Sequence, residues 1–370
     1  MPLVIPKSRY LNAAMIEPAV HYFDSTDSFT KVLLGYSVEQ RPITALKFGS
    51  GKFKILMWSQ MHGNETTTTK AMLHFFEELI KDDSYKTLGE KMSILAIPIL
   101  NPDGAERYTR ENAVEVDLNR DAQDLTQPES VILSQAYKEF KPDLCLNLHG
   151  QRSIYGLTGS ENPAIVSFLA PAADAERSIT PARLVAMHYI NDMVAALSEE
   201  IGNTIGRYDD SFNLNCVGDT FTALKTPTIL FEAGQFGLDY KRNNTTKLLV
   251  TALKTLVNTI VTAEELPEKE QIVSTYLNIP ENAVNYNDIL IKGVLPGRKG
   301  NDADVAIQYE EQLVGAEIRF EPIVEHLSKP LRTFAHRLVK DEQLKLQLSG
   351  LEEDNWPDFI EDYVLKNFRL

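Results

Sequence analysis

Met92 to Leu100 reads MSILAIPIL, and Asn101-Pro102-Asp103-Gly104 follows at once. A near-continuous apolar run closed by turn chemistry predicts a strand buried on both faces, which needs a layer packed above it and another below. The signature recurs at Phe53 to Trp58 (FKILMW), Asp143 to Leu148 (DLCLNL) and Thr226 to Phe231 (TPTILF). Helical periodicity lies between these runs. Residues 65–81 place Ala71, Met72, Phe75, Phe76, Leu79 and Ile80 on one face, and Pro128 to Phe140, Pro181 to Glu200 and Asn244 to Val261 also read as helices. Buried strands alternating with helices predict an α/β domain, with a mixed, largely parallel central sheet and helices on both faces. It is expected over residues 1–265, although the first fifty are only weakly patterned.

The stretch Glu264 to Glu270 (EELPEKE) is charged, carries a proline and reads as a linker. Beyond it, Ile289-Leu290-Ile291, Val305-Ala306-Ile307 and Ile318-Arg319-Phe320 suggest short strands, and the last twenty residues a helix. Residues 271–370 are therefore expected to form a small α+β or β-rich C-terminal domain. The net charge of −15 argues against nucleic-acid binding, which needs a basic footprint. No apolar run reaches the roughly 18 residues of a membrane span, and MPLVIPKSRYLN lacks the pattern of a signal peptide. A cytoplasmic protein without a membrane partner is the expectation. Cys145 sits in the apolar run Leu144-Cys145-Leu146, so it and Cys216 are expected as reduced thiols.

The residues capable of chemistry share one location. His62 and Glu65, Asn101 to Gly104, His149 and Glu232 each lie just past a predicted strand, the edge where open α/β sheets bind ligands. A His-x-x-Glu pair at a strand-to-helix corner can turn an imidazole and a carboxylate toward one point. With a third ligand it would hold zinc and leave a fourth position open for water. Of the seven histidines, His149 has the matching strand-end setting; His74 and His188 fall within predicted helices. Taken alone, His62 and Glu65 read more readily as a helix cap, since so short a motif arises often by chance, and His149 reverses the balance toward a metal. A zinc on two histidines and a carboxylate polarises a carbonyl and activates water, and needs a general base beside it. Glu232, directly after an apolar strand, is the candidate; a capping or surface glutamate is the alternative.

Five motifs in order resemble the zinc carboxypeptidases of the carboxypeptidase A type. They are His62-Gly63-Asn64-Glu65, Asn101-Pro102-Asp103-Gly104, Arg110-Glu111-Asn112-Ala113 running into Val116-Asp117-Leu118-Asn119-Arg120-Asp121, Leu146-Asn147-Leu148-His149, and Phe231-Glu232-Ala233-Gly234. The resemblance spans most of residues 50–265 and does not reach the C-terminal part. It implies a zinc metallocarboxypeptidase, a hydrolase with one zinc on His62, Glu65 and His149. Glu232 would be general base and acid, Arg110 would stabilise the oxyanion, and Asn119 and Arg120 would grip the substrate's terminal carboxylate. Tyr208 would match the tyrosine that closes over substrate, and Asp219 would line the side-chain pocket. The His62-Gly63-Asn64-Glu65 motif is also similar to the aspartoacylase and succinylglutamate desuccinylase branch. Peptide, murein peptide and N-acyl amino acid thus all stand as substrates. Arg152, just past His149, either binds an acidic substrate group or pairs with a carboxylate. The rival from another class is a non-catalytic module that holds a peptide C-terminus through Arg120, against which the retained Glu232 argues.

Overall fold

The computed structural model describes residues 3–82, 85, 87–262, 265–296, 302–326 and 332–370. In chain order the first half carries α1 (Ala13–Asp24), β1 (Phe29–Tyr36), β2 (Pro42–Phe48), β3 (Phe53–Ser59), α2 (Thr67–Lys81), α3 (Leu88–Lys91), β4 (Met92–Ile97), α4 (Pro102–Arg107), α5 (Pro128–Phe140) and β5 (Leu144–Gly150). There follow β6 (Tyr155–Leu157), β7 (Val166–Leu169), α6 (Pro181–Ile201), β8 (Ile205–Arg207), α7 (Val217–Ala223), β9 (Thr228–Ala233), α8 (Asn243–Thr262) and α9 (Lys269–Leu277). The remainder holds β10 (Asn282–Val284), β11 (Tyr286–Leu295), β12 (Ala303–Val314), β13 (Glu317–His326), β14 (Phe334–Val339), α10 (Glu342–Ser349) and α11 (Trp356–Phe368). No helix among the described residues is long and apolar enough to cross a membrane.

Eight strands form one mixed sheet in the order β1-β2-β4-β3-β5-β9-β7-β8. The pairs β4–β3, β3–β5 and β5–β9 at its centre are parallel. The alternation of side chains across a strand sorts its residues into two cores. Ile55, Met57, Leu144, Leu146 and Leu148 face α1, α2, α6 and α8. Leu56, Trp58 and Cys145 face the other way, toward Ile132, Leu133 and Ala136 of α5 and Val217 and Phe221 of α7. Because β3, β5 and β9 run parallel, their C-terminal ends meet at one edge, with His149 directly opposite Glu232.

The opening fifty residues are more regular than their pattern suggests, since they hold α1 and the β1–β2 hairpin. β1 is the outermost strand and largely uncovered, so it needs no clean apolar alternation. β7 and β8 are only four and three residues long and left no usable signal. The charged linker stretch begins at Glu264, which lies outside the described residues. Its last residues, Lys269 and Glu270, open α9, which buries Ile272 and Tyr276 in the main core.

Beyond β10, which pairs with β6 of the main body, a four-stranded sheet runs β13-β12-β11-β14. It has its own core, in which Ile289, Ile291, Val305 and Ile307 pack with Leu344 and Leu348 of α10 and Ile360 and Val364 of α11. Polar contacts join this unit to the strand-end edge. Arg9 donates to both oxygens of Glu311, at 3.0 and 2.9 Å, and the Tyr108 hydroxyl also donates to Glu311. Asp288, fully buried, accepts from the Ser153 and Tyr240 hydroxyls, the Gln308 amide and the Tyr309 N–H.

The main core has an aromatic cluster in which the rings of Phe23 and Phe29 lie 5.8 and 5.0 Å from that of Phe76. Truncating a fully buried phenylalanine removes its burial and leaves a cavity, so Phe76→Ala is expected to lose about 3–5 kcal/mol of stability. Denaturant unfolding reads this directly; an unshifted midpoint would show that the cluster contributes no packing.

Candidate active site

The corner after β3 is shaped by close contact. Gly63 lies so near Gly104 and Ala105 that any Cβ would overlap their backbone. Asn101 clamps the corner: its Oδ1 accepts from the Gly104 N–H and caps α4, while its Nδ2 donates to the carbonyls of Met61 and Glu111. Asp103 accepts from the Ser37 hydroxyl and the Glu39 N–H. The Asn101 to Gly104 turn therefore holds the corner from beneath and takes no place in the cavity lining.

Three of the residues singled out from the sequence converge. His62 Nδ1 lies 2.8 Å from Glu65 Oε1, and His149 Nδ1 lies 2.8 Å from Glu65 Oε2. The two Nδ1 atoms are 3.1 Å apart, and both imidazoles are 2% exposed. Ligand atoms from all three residues lie within 4.8 Å of one another. At that distance one proton can bridge the two ring nitrogens, and a metal ion in its place would take a lone pair from each. Two imidazole nitrogens and a carboxylate are the donor set of a catalytic zinc with an open position. The site fits a single zinc. The two imidazoles hold the Glu65 carboxyl well below the usual range, although burial works the other way.

Asp117 sets the orientation of this centre. Its Oδ1 lies 3.0 Å from His62 Nε2, so that nitrogen carries the proton and Nδ1 keeps its lone pair for the metal. The other oxygen, Oδ2, accepts from Arg110 Nε at 3.2 Å and Nη2 at 3.0 Å. One carboxylate thus positions both a ligand and the guanidinium beside it, whose Nη1 lies 3.1 Å from His62 Nδ1. Sequence reasoning quoted Asp117 within Val116 to Asp121 but gave it no role. The usable signal was general: a ligating histidine needs a partner on its other nitrogen.

Glu232 lines the same cavity of about 730 Å³. It is 8% exposed, and its Oε2 is buried without a partner. Burial, then the nearby Glu65 carboxylate, pushes its carboxyl well above the usual range. Arg120 reaches the cavity from the 3-10 turn Leu118–Arg120. Its Nη1 donates to the Asn119 carbonyl at 2.8 Å and lies 3.2 Å from Cys216 Sγ. Among the described residues it has no carboxylate partner. The Asn119 side chain accepts from the Val217 N–H through Oδ1, which leaves its amide NH₂ free. The Tyr208 hydroxyl donates to that of Tyr155 at 2.9 Å, and both rings line the cavity. Asp219 lines it near Gly218 and Leu230; it accepts from the Asn213 N–H, and burial raises its carboxyl to about 6. All eight expected site residues, with Asp219, thus border one cavity, apart from any role each plays there.

Residues 22–154 match the zinc carboxypeptidase family model, Peptidase M14. Carboxypeptidase 2 of Trichophyton rubrum is 30% identical over 101 residues, which are 27% of this chain and 19% of that protein. Carboxypeptidase D of Mus musculus is 28% identical over 170 residues, 38% of this chain and 12% of that one. The chain thus spans less than a fifth of either relative's length. The fold is similar to that of the metallo-carboxypeptidase from Pseudomonas aeruginosa, with a TM-score of 0.55, 20% identity and 69% and 70% of the two chains covered. It is likewise similar to the metallo-carboxypeptidase from Burkholderia cenocepacia, with a TM-score of 0.53, 14% identity and 69% and 71% covered. The likeness to the aspartoacylase branch rests on the His62 to Glu65 motif alone.

Asp117→Asn replaces the carboxylate that fixes His62 with a neutral amide. Zinc affinity is expected to fall about 10- to 100-fold, as for other outer-shell partners of ligating histidines. Competition with a chromophoric chelator measures it, and an undiminished affinity would mean that His62 is oriented by other groups.

Proposed function

We propose, on the premise that this chain belongs to the zinc carboxypeptidase family, that it is a metallocarboxypeptidase, releasing a C-terminal amino acid from a peptide by hydrolysis. The observation that carries this reading is one cavity holding the convergent ligands of His62, Glu65 and His149, the Glu232 carboxyl with its unpartnered Oε2, and an Arg120 guanidinium with no carboxylate partner among the described residues.

Zinc, when bound by the three ligands, supplies a Lewis acid for the amide carbonyl and for the attacking water. The chain's own residues do the rest. Glu232 takes a proton from that water on its carboxylate and delivers it to the departing amine nitrogen. Arg110, held by Asp117, aims guanidinium N–H groups at the oxygen where negative charge develops. Arg120 meets a free carboxylate with two parallel donors, which a lysine cannot offer, and the free NH₂ of Asn119 adds a third. Tyr208, beside Tyr155, covers the acyl part.

A second reading, an amidohydrolase acting on an N-acyl amino acid, uses the same chemistry. What favours it is that Gln308, Tyr309, Glu310 and Glu311 of β12 line the cavity. A wall there shortens the room for a long peptide. Comparing a C-terminally free peptide, its amidated form and an N-acyl amino acid, each with and without chelator, separates hydrolysis from mere binding and one substrate class from the other.

Glu232→Gln is expected to keep zinc while kcat falls about 100- to 10,000-fold, the range for loss of a general base. Normal turnover in that variant would remove Glu232 as the proton carrier. Arg120→Ala is expected to raise KM for substrates with a free C-terminus about tenfold or more, as for a lost charge-assisted pair. An unaltered KM would place carboxylate selection on other residues.

A further inference from the structure

The cavity wall carries a hydroxyl proton that the proposed mechanism does not spend. A phenol has one O–H to donate and can accept as well. Tyr208 gives its proton to the Tyr155 hydroxyl oxygen at 2.9 Å. Tyr155 is thus the acceptor of the pair, and its own O–H has no acceptor among the described residues, although the half-buried side chain lines the cavity.

The two tyrosines are held differently. Tyr155 opens β6, opposite Val284 in the ladder with β10, and its carbonyl accepts from the Ala164 N–H at 3.1 Å. Gly156, the next residue, lies so near the Asn285 side chain and the Tyr286 ring that a Cβ would overlap them, so β6 is pressed against the start of β11. Tyr208 directly follows β8, and the chain from it to α7 contains no helix or strand. A group set on paired backbone is presented with more precision than one on a loop.

The position of the pair follows from its neighbours. Burial, then the Glu232 carboxylate, raises the Tyr208 phenol above its ordinary range, so it keeps the proton it donates; Glu65 acts in the same direction. Tyr208 therefore stands beside the reacting centre, and Tyr155 lies one hydrogen bond further out. Asn119 and Arg120 belong to another wall, against Val217 and Cys216 at the start of α7. Tyr155 instead lies two residues from Ser153, whose hydroxyl donates to Asp288 of β11. A substrate with its terminal carboxylate at Arg120 and its scissile amide at the zinc ligands runs on toward Tyr155.

We propose that Tyr155 is a specificity-determining donor, whose free O–H meets the first carbonyl oxygen upstream of the scissile amide while Tyr208 donates to it from behind. A chain of two hydrogen bonds polarises the outer O–H and strengthens its contact with the acceptor. The preferred substrate then has a second carbonyl one residue before the bond that is cut, as a peptide does and a simple aliphatic acyl amino acid does not. This rests on the amide-hydrolase reading above and narrows its substrate class.

The test uses the zinc-loaded protein and the pair 4-oxopentanoyl-X and pentanoyl-X, with one leaving residue X common to both. The first has the chain length of acetylglycyl-X and keeps its upstream carbonyl; the second differs only in lacking that oxygen. The wild type is expected to favour the oxo compound in kcat/KM by about three- to tenfold, the scale of one neutral hydrogen bond. Tyr155→Phe keeps the ring and is expected to bring the ratio to one, whereas Tyr208→Phe leaves it above one. A wild-type ratio at or below one overturns the proposal. So does a ratio that survives Tyr155→Phe, including the case in which both rates fall alike, as a merely structural tyrosine would cause, or a ratio that only Tyr208→Phe removes. Calorimetric binding of the same pair to the Glu232→Gln protein keeps the two ideas apart. If neither compound is cut yet the oxo compound binds more tightly, and adding Tyr155→Phe abolishes the difference, the Tyr155 contact stands and hydrolysis falls. If both are cut and bound alike, hydrolysis stands and the contact falls.

Discussion

Two imidazole nitrogens lie 3.1 Å apart, with one oxygen of the half-buried Glu65 carboxylate against each. The ligands already converge in the fold, so the protein holds them together before a cation arrives. The holding is done by backbone. Gly63 lets the corner press against Gly104, Asn101 ties Met61 to Glu111, and the Gly150 N–H donates to Glu65 Oε2. Asp117 then fixes the His62 tautomer and takes Arg110 on its second oxygen. Rigid strand ends are the means by which ligands from distant sequence positions come together without paying for reorganisation on binding.

What the sequence reveals follows from where physical constraint is strong. β4 and β9 are buried along their whole length, and the apolar runs within them, Ile94 to Ile97 and Ile229 to Phe231, can be read directly. Their ends are legible for the same reason: a polar residue right after such a run is at the sheet edge, and His62, His149 and Glu232 were found there. β1 escaped because an edge strand with one open side tolerates many sequences, and β7 and β8 because so few residues carry no periodicity. Asp117 escaped for a different reason. Its importance lies in a contact with a residue 55 positions away, which no local pattern encodes. The wall formed by β12 was equally hidden, since a strand's own residues do not say which neighbouring unit they will border.

The C-terminal unit accordingly has two relations to the main body. Its core is its own, built from β11, β12, α10 and α11. Its contacts with the main body include charged and polar ones through Arg9, Glu311, Asp288 and Ser153, beside the packing of the Tyr240 ring on Tyr309 and Phe320. A buried ion pair of this kind is a weak source of stability but a demanding one in geometry, because either partner alone would be left uncompensated. Glu311 therefore fixes where β12 sits against the cavity, and with it the shape of that wall.

The chain carries 52 acidic against 37 basic residues, which at first sight disfavours an anionic substrate. Long-range repulsion, however, fades over a Debye length of about 8 Å at physiological ionic strength. Inside the cavity the balance is set by neighbours within a few ångströms, and there Arg120 has no carboxylate partner among the described residues. An acidic exterior with an unpaired guanidinium on the cavity wall gives discrimination at the point of contact: a carboxylate gains only where it can displace water from a guanidinium that no protein carboxylate already satisfies. That is the physical condition under which a guanidinium on the wall of an acidic protein can still select a carboxylate.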